Sequence, residues 1–125
     1  MNLDQNTIHS LAEHLESCEL QAHDTPKITD EYPQMDWEDA YAIQEAIKQR
    51  KIARGCRIIG YKAGLTSHAK MQQMGVSNPV FGFLADYFSV PEGSAVQLSE
   101  LIHPKVEPEI AFVTKHALRG PGCHI

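Results

Sequence analysis

Lys105-Val106-Glu107-Pro108-Glu109-Ile110-Ala111-Phe112-Val113-Thr114 reads as the clearest strand in the sequence, rich in apolar and β-branched residues. Side chains on a strand alternate faces, so Lys105, Glu107, Glu109, Ala111 and Val113 fall on one side and Val106, Pro108, Ile110, Phe112 and Thr114 on the other. Glu107 and Glu109 therefore stand side by side. Adjacent like charges repel, and a divalent cation between them reverses the sign. Hard carboxylate oxygens suit Mg²⁺ or Mn²⁺ better than zinc. The plainer alternative is an edge strand with a solvated acidic face, and Pro108 fits it because proline is confined largely to edges and bulges. By spacing alone the edge-strand reading is the stronger of the two.

Working back from this segment, Phe81 to Leu84, Tyr87 to Val90 and Ala95 to Leu98 are short apolar pieces expected to be β-structure, broken by the turn signal Pro91-Glu92-Gly93-Ser94. Arg57 to Gly64 reads as a strand that places Ile58, Gly60, Lys62 and Gly64 on one face. A lysine between glycines has empty space on both sides, room in which a ligand can approach. Lys62 could hold a carboxylate there or stabilise a developing enolate, or be a surface lysine on a poor strand. Ser67 to Met74 reads as a short helix capped by Thr66 or Ser67 and stopped by Gly75. Its free N–H groups could receive an anion, although capping is the more ordinary role of those hydroxyls.

Nearer the N-terminus the period changes. Ile8, Leu11, Ala12 and Leu15 mark an amphipathic helix over Asn6 to Leu20, and Pro26 marks a polar loop over His23 to Tyr32. Asp36 is placed to cap a long helix opening with Trp37-Glu38-Asp39. Its apolar stripe is Ala40, Ile43 and Ile47, and it ends in Lys48, Arg50, Lys51 and Arg54 before Gly55. Helices first and strands after predict an α+β fold. The expected division is a helical region over residues 1–56 and the first part of a β-rich domain over residues 57–125. The strands are few for a sheet covered on both faces, so the domain is expected to be incomplete.

Composition narrows the function. The chain has 125 residues, enough for one modest domain, and its 42% hydrophobic and 22% charged content is that of an ordinary globular protein. A net charge of -5 argues against non-specific binding to nucleic acid or an anionic membrane, so an anionic substrate must be drawn by a local positive feature. No apolar run has the length of a membrane span, and Met1 to Leu20 lacks the basic and apolar regions of a signal peptide. Cys18, Cys56 and Cys123 are odd in number and widely spaced, which fits reduced thiols and a cytoplasmic location. His14 and Cys18 share a helix face but make only two ligands. His103 precedes the acidic segment and could support a metal from behind, though a loop histidine is the simpler reading. His116, His124 and Cys123 form no spacing pattern, and there is no P-loop, no GxGxxG after a strand and no GxSxG.

Several strings agree on one family. Gly60-Tyr61-Lys62-Ala63-Gly64-Leu65-Thr66-Ser67, Pro79-Val80-Phe81-Gly82, Ala85-Asp86-Tyr87-Phe88-Ser89-Val90-Pro91, His103-Pro104-Lys105-Val106-Glu107-Pro108-Glu109-Ile110 and Arg119-Gly120-Pro121-Gly122-Cys123-His124 resemble, in order and spacing, the hydratase/decarboxylase branch of the fumarylacetoacetate hydrolase superfamily. The resemblance implies part of a mixed β-roll, with Glu107 and Glu109 as ligands of Mg²⁺ (Mn²⁺ as alternative), Lys62 as the active-site lysine, and Leu65 and Thr66 lining the substrate pocket. Pro108 replaces the family's usual small residue between the glutamates.

The substrate implied is a 2-oxo dicarboxylic acid. The activity that the resemblance implies is decarboxylation of 2-oxo-3-hexenedioate to 2-hydroxypenta-2,4-dienoate in meta-cleavage degradation of aromatic compounds. Hydration of 2-hydroxypenta-2,4-dienoate is the alternative within the branch. Val80 stands where hydratases commonly carry Asp, which favours the decarboxylase. A homo-oligomer and a complex with the pathway hydratase are also implied. Family members are roughly twice as long, and their third acidic ligand lies on a strand past the point that Ile125 reaches. The expectation is therefore a fragment or half-protein with two of three ligands, and an inactive remnant is the competing reading.

Overall fold

Asp4 opens the first helix, α1 (Gln5–Leu20), its carboxylate accepting a 2.8 Å hydrogen bond from the Thr7 backbone N–H. The fold is known from a computed structural model, which describes residues 1–122. A single turn, α2 (Ile28–Glu31), interrupts the loop expected over His23 to Tyr32. The longest helix, α3 (Trp37–Ala53), follows. Then come strand β1 (Ile58–Gly64), helix α4 (His68–Met74) and strand β2 (Val80–Ala85).

The core lies between α1 and α3. Leu3, Ile8, Leu11, Ala12 and Ile43 are buried, with Leu15, Ile28, Met35 and Ile47 packed around them. Burying side chains such as Ile8 and Ile43 contributes about 1.5–3 kcal/mol each, so the pair of helices carries much of the stability. The stripe expected on α1 is the one buried. On α3, Ile43 and Ile47 of the expected stripe reach the core, but Ala40 faces solvent, and the buried positions are Asp39, Ile43 and Lys51, at spacings of four and eight. Charged residues at the ends of a helical stripe are invisible to an apolar periodicity.

Asp36 caps α3 as expected. Its side chain accepts from the Asp39 N–H at 2.9 Å, and Asp39 returns the bond to the Asp36 N–H at 3.1 Å. Ser67, not Thr66, caps α4, accepting from the Lys70 N–H at 3.2 Å. Gly75 ends α4 with φ +68, and a Cβ there would meet nothing within 4 Å. Gly75→Ala therefore meets only the backbone penalty of the left-handed region. The expected loss is about 1 kcal/mol in urea unfolding, with no change in the far-ultraviolet spectrum.

β1 and β2 pair antiparallel, Lys62 opposite Gly82 and Gly64 opposite Val80, with a bulge between Ile58 and Gly60. The bulge takes Ile58 off the face shared by Gly60, Lys62 and Gly64, correcting the simple alternation. The sheet has two strands among the described residues, which gives helices plus a small antiparallel sheet.

Three expected strands are absent. Tyr87 lies in a 3₁₀ turn (Asp86–Phe88), and residues 95–98 are irregular and run into another such turn (Leu98–Glu100). Residues 105–114, the strongest strand signal, are in no regular element, and Val106 is fully exposed. A strand exists only where a neighbour supplies its ladder hydrogen bonds, and no described segment pairs with 105–114. Cys123 and His124 lie outside the described residues.

Candidate active site

Lys62 is carried by β1 at the point where Gly82 faces it across the pair. A Cβ at Gly82 would meet nothing within 4 Å, so the lysine rises beside open space. The emptiness expected along its own strand is only partial. A Cβ at Gly64 would come within 3.1 Å of Val80 Cγ2, so that glycine is needed for close packing against β2. Gly82 was missed as part of the site, because cross-strand pairing is not readable before the register is known.

The Lys62 ammonium donates to Glu109 Oε1 at 2.7 Å and to Glu107 Oε2 at 3.5 Å. One nitrogen reaching both carboxylates puts them on the same side of the chain. The expected juxtaposition of the pair thus holds although the strand itself does not. All three side chains are accessible, Lys62 at 45%, Glu107 at 69% and Glu109 at 56%. The hydrogen bond from Lys62 to Glu109 is the main influence raising the lysine above its ordinary value of 10.5, and partial desolvation opposes it. The raised value means that the ion pair's contribution is complete below the ordinary lysine range and disappears only as pH rises through the higher value. At neutral pH the site is thus one ammonium between two carboxylates.

Leu65 and Thr66 follow β1 directly. Leu65 is half-buried with φ 54, a left-handed conformation that turns the chain from β1 into α4, and Thr66 is exposed. His103 does not approach the acidic pair; its Nε2 meets Asp24 Oδ2 at 2.8 Å. His14 Nε2 lies 3.7 Å from Cys18 Sγ on α1 and 2.8 Å from Thr25 Oγ1 in the loop that follows it. Among the described residues no group of three or more His, Cys, Asp or Glu side chains is arranged to hold a metal, so Glu107 and Glu109 stand as two oxygen donors and not as a complete cage. Nor, among those residues, is any helix long and apolar enough to cross a membrane.

A second polar cluster was missed entirely. Glu16 of α1, only 2% exposed, receives Arg50 Nε and Arg54 Nη2, each at 2.7 Å. Lys51 of α3, 1% exposed, donates to Glu19 and to the Tyr87 hydroxyl, which itself donates to Glu19. The ammonium lies 5.1 Å from the Tyr87 ring centroid and 5.7 Å from that of Phe88. Burial, then the bond to Glu19, pushes the Tyr87 phenol well above its ordinary value. The cluster ties the turn after β2 to both long helices, and so helps fix how the strand pair carrying Lys62 sits on the helical pair. In sequence Lys51 is one of four basic residues, with Lys48, Arg50 and Arg54, at the end of α3, and nothing in that pattern marks it as the buried member.

No family model matches the chain. Individual proteins do. It is 58% identical over 123 residues to 4-oxalocrotonate decarboxylase of Pseudomonas sp. (strain CF600) and 60% identical over 123 residues to that of Pseudomonas putida, in each case across 98% of this chain and 47% of the relative. Among solved structures, 4-oxalocrotonate decarboxylase from Pseudomonas putida G7, complexed with magnesium and adipate, superposes with a TM-score of 0.92 at 56% identity, over 98% of this chain and 47% of that one. The chain spans about half the length of the relatives it matches. Sequence and backbone agree, and over nearly all of its length this chain resembles the N-terminal half of the 4-oxalocrotonate decarboxylases.

Proposed function

We propose that this chain contributes Lys62, Glu107 and Glu109 to a Mg²⁺-dependent carboxy-lyase site that converts 2-oxo-3-hexenedioate to 2-hydroxypenta-2,4-dienoate and CO₂. The observation that carries the reading is the convergence of one lysine and two carboxylates beside the open Gly82 position, in a chain up to 60% identical to decarboxylases of that name. The domain is read as the opening part of a β-roll of the fumarylacetoacetate hydrolase type. The residues fit the cation: two hard anionic oxygen donors on one side of the chain suit Mg²⁺, with Mn²⁺ as substitute. Glu107 and Glu109 would hold it. Bound there, a divalent cation would supply Lewis acidity toward the 2-oxo acid end of the substrate.

The reaction breaks the bond between C5 and the terminal carboxylate. Its electron pair forms the C4–C5 double bond, the C3–C4 π pair moves to C2–C3, and the carbonyl pair ends on the C2 oxygen. A proton taken up by that oxygen gives the dienol, and CO₂ leaves. Charge thus migrates from one end of the substrate to the other. The ammonium of Lys62 meets that need, since a fixed positive charge is favourable where negative charge develops. A solved relative's adipate, a six-carbon dicarboxylate, has the chain length of this substrate. Leu65 and Thr66, at the turn leaving β1, would border the substrate's path. The decarboxylase is preferred to the hydratase because relatives at 58% and 60% identity across almost the whole chain are decarboxylases.

The test is CO₂ release from 2-oxo-3-hexenedioate, with Mg²⁺ and with chelator, by the chain alone and by the chain joined to the remainder of the Pseudomonas putida relative. Mg²⁺-dependent release with accumulation of 2-hydroxypenta-2,4-dienoate is expected of the joined protein. Hydration of separately supplied 2-hydroxypenta-2,4-dienoate, with no CO₂ from 2-oxo-3-hexenedioate, would return the hydratase, and no turnover of either substrate in either form would leave a non-catalytic remnant. In the joined protein Lys62→Ala should lower kcat by roughly 100-fold or more. The metal arm separates the roles. Lys62→Met removes an ammonium that competes for the carboxylates, so Mn²⁺ should bind at least as tightly in a titration. Glu109→Gln should weaken it by about tenfold or more. Equal weakening in both variants would refute the division between lysine and ligands.

A further inference from the structure

We propose that Tyr41 and Gln44 of α3 are positioning residues for Lys62: they hold β2 by the backbone of Phe81 and so set where the ammonium stands. This rests on the decarboxylase reading, in which Lys62 faces the charge that develops on the substrate. Phe81 adjoins Gly82, the residue paired with Lys62. Its N–H donates to the Tyr41 hydroxyl at 3.2 Å, and its C=O accepts from Gln44 Nε2 at 3.0 Å. Both backbone groups of Phe81 are therefore turned to α3. In an antiparallel pair, successive residues point these groups alternately toward the partner strand and away from it. Phe81 points away, so Gly82 points inward and exchanges both ladder bonds with Lys62. One peptide unit thus separates the α3 contacts from the backbone that carries the lysine.

The sequence arranges this on one stripe of a helix. Tyr41 and Gln44 are three apart and share a face of α3. Lys51, seven residues beyond Gln44, continues that stripe and donates to Tyr87 past the end of β2. The helix fastens the strand at both ends, and the Tyr41–Gln44 end is the one beside Lys62. The Tyr41 ring stacks on Trp37, with centroids 6.5 Å apart and planes at 29°, which fixes the direction of its hydroxyl. Apolar packing does not do this work. The Phe81 side chain is 54% exposed. A cleft of about 120 Å³ lies between helix and strand here, lined by Trp37, Ala40, Tyr41, Gln44, Val80 and Phe81.

Placement matters because Lys62 is itself 45% exposed and is not held by surrounding side chains. A preorganised charge is effective only where it stands in register with the charge it stabilises. A displacement of about 1 Å can cost on the order of 100-fold in rate.

The test is Tyr41→Phe combined with Gln44→Met, which removes both partners of Phe81 and keeps the aromatic stack and the side-chain volumes. In the full chain, without metal or substrate, amide exchange at Phe81 should quicken by roughly tenfold while the helical spectrum stays that of the parent. In the protein joined to the remainder of the Pseudomonas putida relative, kcat should fall by about tenfold and KM for 2-oxo-3-hexenedioate should stay within about twofold. Placed in Lys62→Ala, the same pair should change kcat by less than about twofold, because its effect passes through the lysine. Gln44→Met alone should give a smaller loss of the same kind, and it decides the matter if the double variant does not fold. Equal losses with and without Lys62 would mean a general structural defect and overturn the proposal. So would a rise in KM with kcat unchanged, or exchange at Phe81 that does not respond. Full activity in Lys62→Ala sinks the role given to that lysine, and the proposal with it. A lysine-dependent activity indifferent to Tyr41 and Gln44 sinks the proposal alone.

Discussion

Asp39→Ala is expected to lower the thermal midpoint by roughly 5–10 °C while leaving the helical content of the remaining fold intact. Asp39 has no exposed surface. Its carboxylate accepts from the backbone N–H of Asn2 at 2.9 Å, of Leu3 at 3.0 Å and of Asp36 at 3.1 Å. Alanine leaves these donors without partners at a buried site, where an orphaned N–H costs far more than the net gain of making the bond. The segment before α1 would come away from the start of α3, and Leu3 would leave the core with it.

The pH dependence distinguishes this from a packing loss. Burial alone would raise the Asp39 carboxyl, but the N–H groups of Leu3, Asp36 and Asn2 outweigh it and hold the group below its ordinary value of 3.8. A lowered value means that its contribution is fully present above the ordinary carboxylate range and fades as pH falls through the folded value. The gap in stability between the parent and Asp39→Asn should therefore narrow below about pH 4. A gap independent of pH would mean that the ionised carboxylate is not what holds Asn2 and Leu3.

Glu16→Ala should destabilise the chain by about 2–3 kcal/mol in urea unfolding. That is below the roughly 3–5 kcal/mol seen when one member of a wholly buried pair is removed, because Arg50 and Arg54 are 42% and 43% exposed and recover water. Lys51 recovers none. Its ammonium lies 3.8 Å from Glu16; with Glu16 gone it depends on Glu19, Tyr87 and the Phe88 ring, so the near-ultraviolet signal of Tyr87 should change as well. Glu13→Ala is the comparison. Glu13 is 69% exposed and meets Arg50 at 3.5 Å, and its loss should cost no more than about 0.5 kcal/mol. Equal effects at the two positions would show the Glu16 cluster to be energetically neutral.

The two substitutions also separate what could be read from composition and period from what could not. The caps at Asp36 and Gly75 were legible because each is decided within three or four residues. The α1 stripe was legible because Ile8, Leu11 and Ala12 repeat with the helix. β1 and β2 were legible as apolar pieces between turns. The pairing of Glu107 and Glu109 on one side was legible from an alternation of two. Lys62 was visible as a lysine among glycines, and the family strings gave it a role that local pattern alone left open.

The rest depended on groups distant in sequence. Lys51 looks like its neighbours Lys48 and Arg50. Only the packing of α3 on α1 and on the turn after β2 buries it against Glu19 and Tyr87. Gly82 matters because the register sets it opposite Lys62. Residues 105–114 have every local preference of a strand and yet are not one, because a helix closes its hydrogen bonds within its own segment and a strand cannot. Local chemistry therefore determined the helices, the caps and the side on which the acidic pair points. Whether the strongest strand signal became a strand, and which charges became core, was decided by which distant segments the folded chain brings alongside.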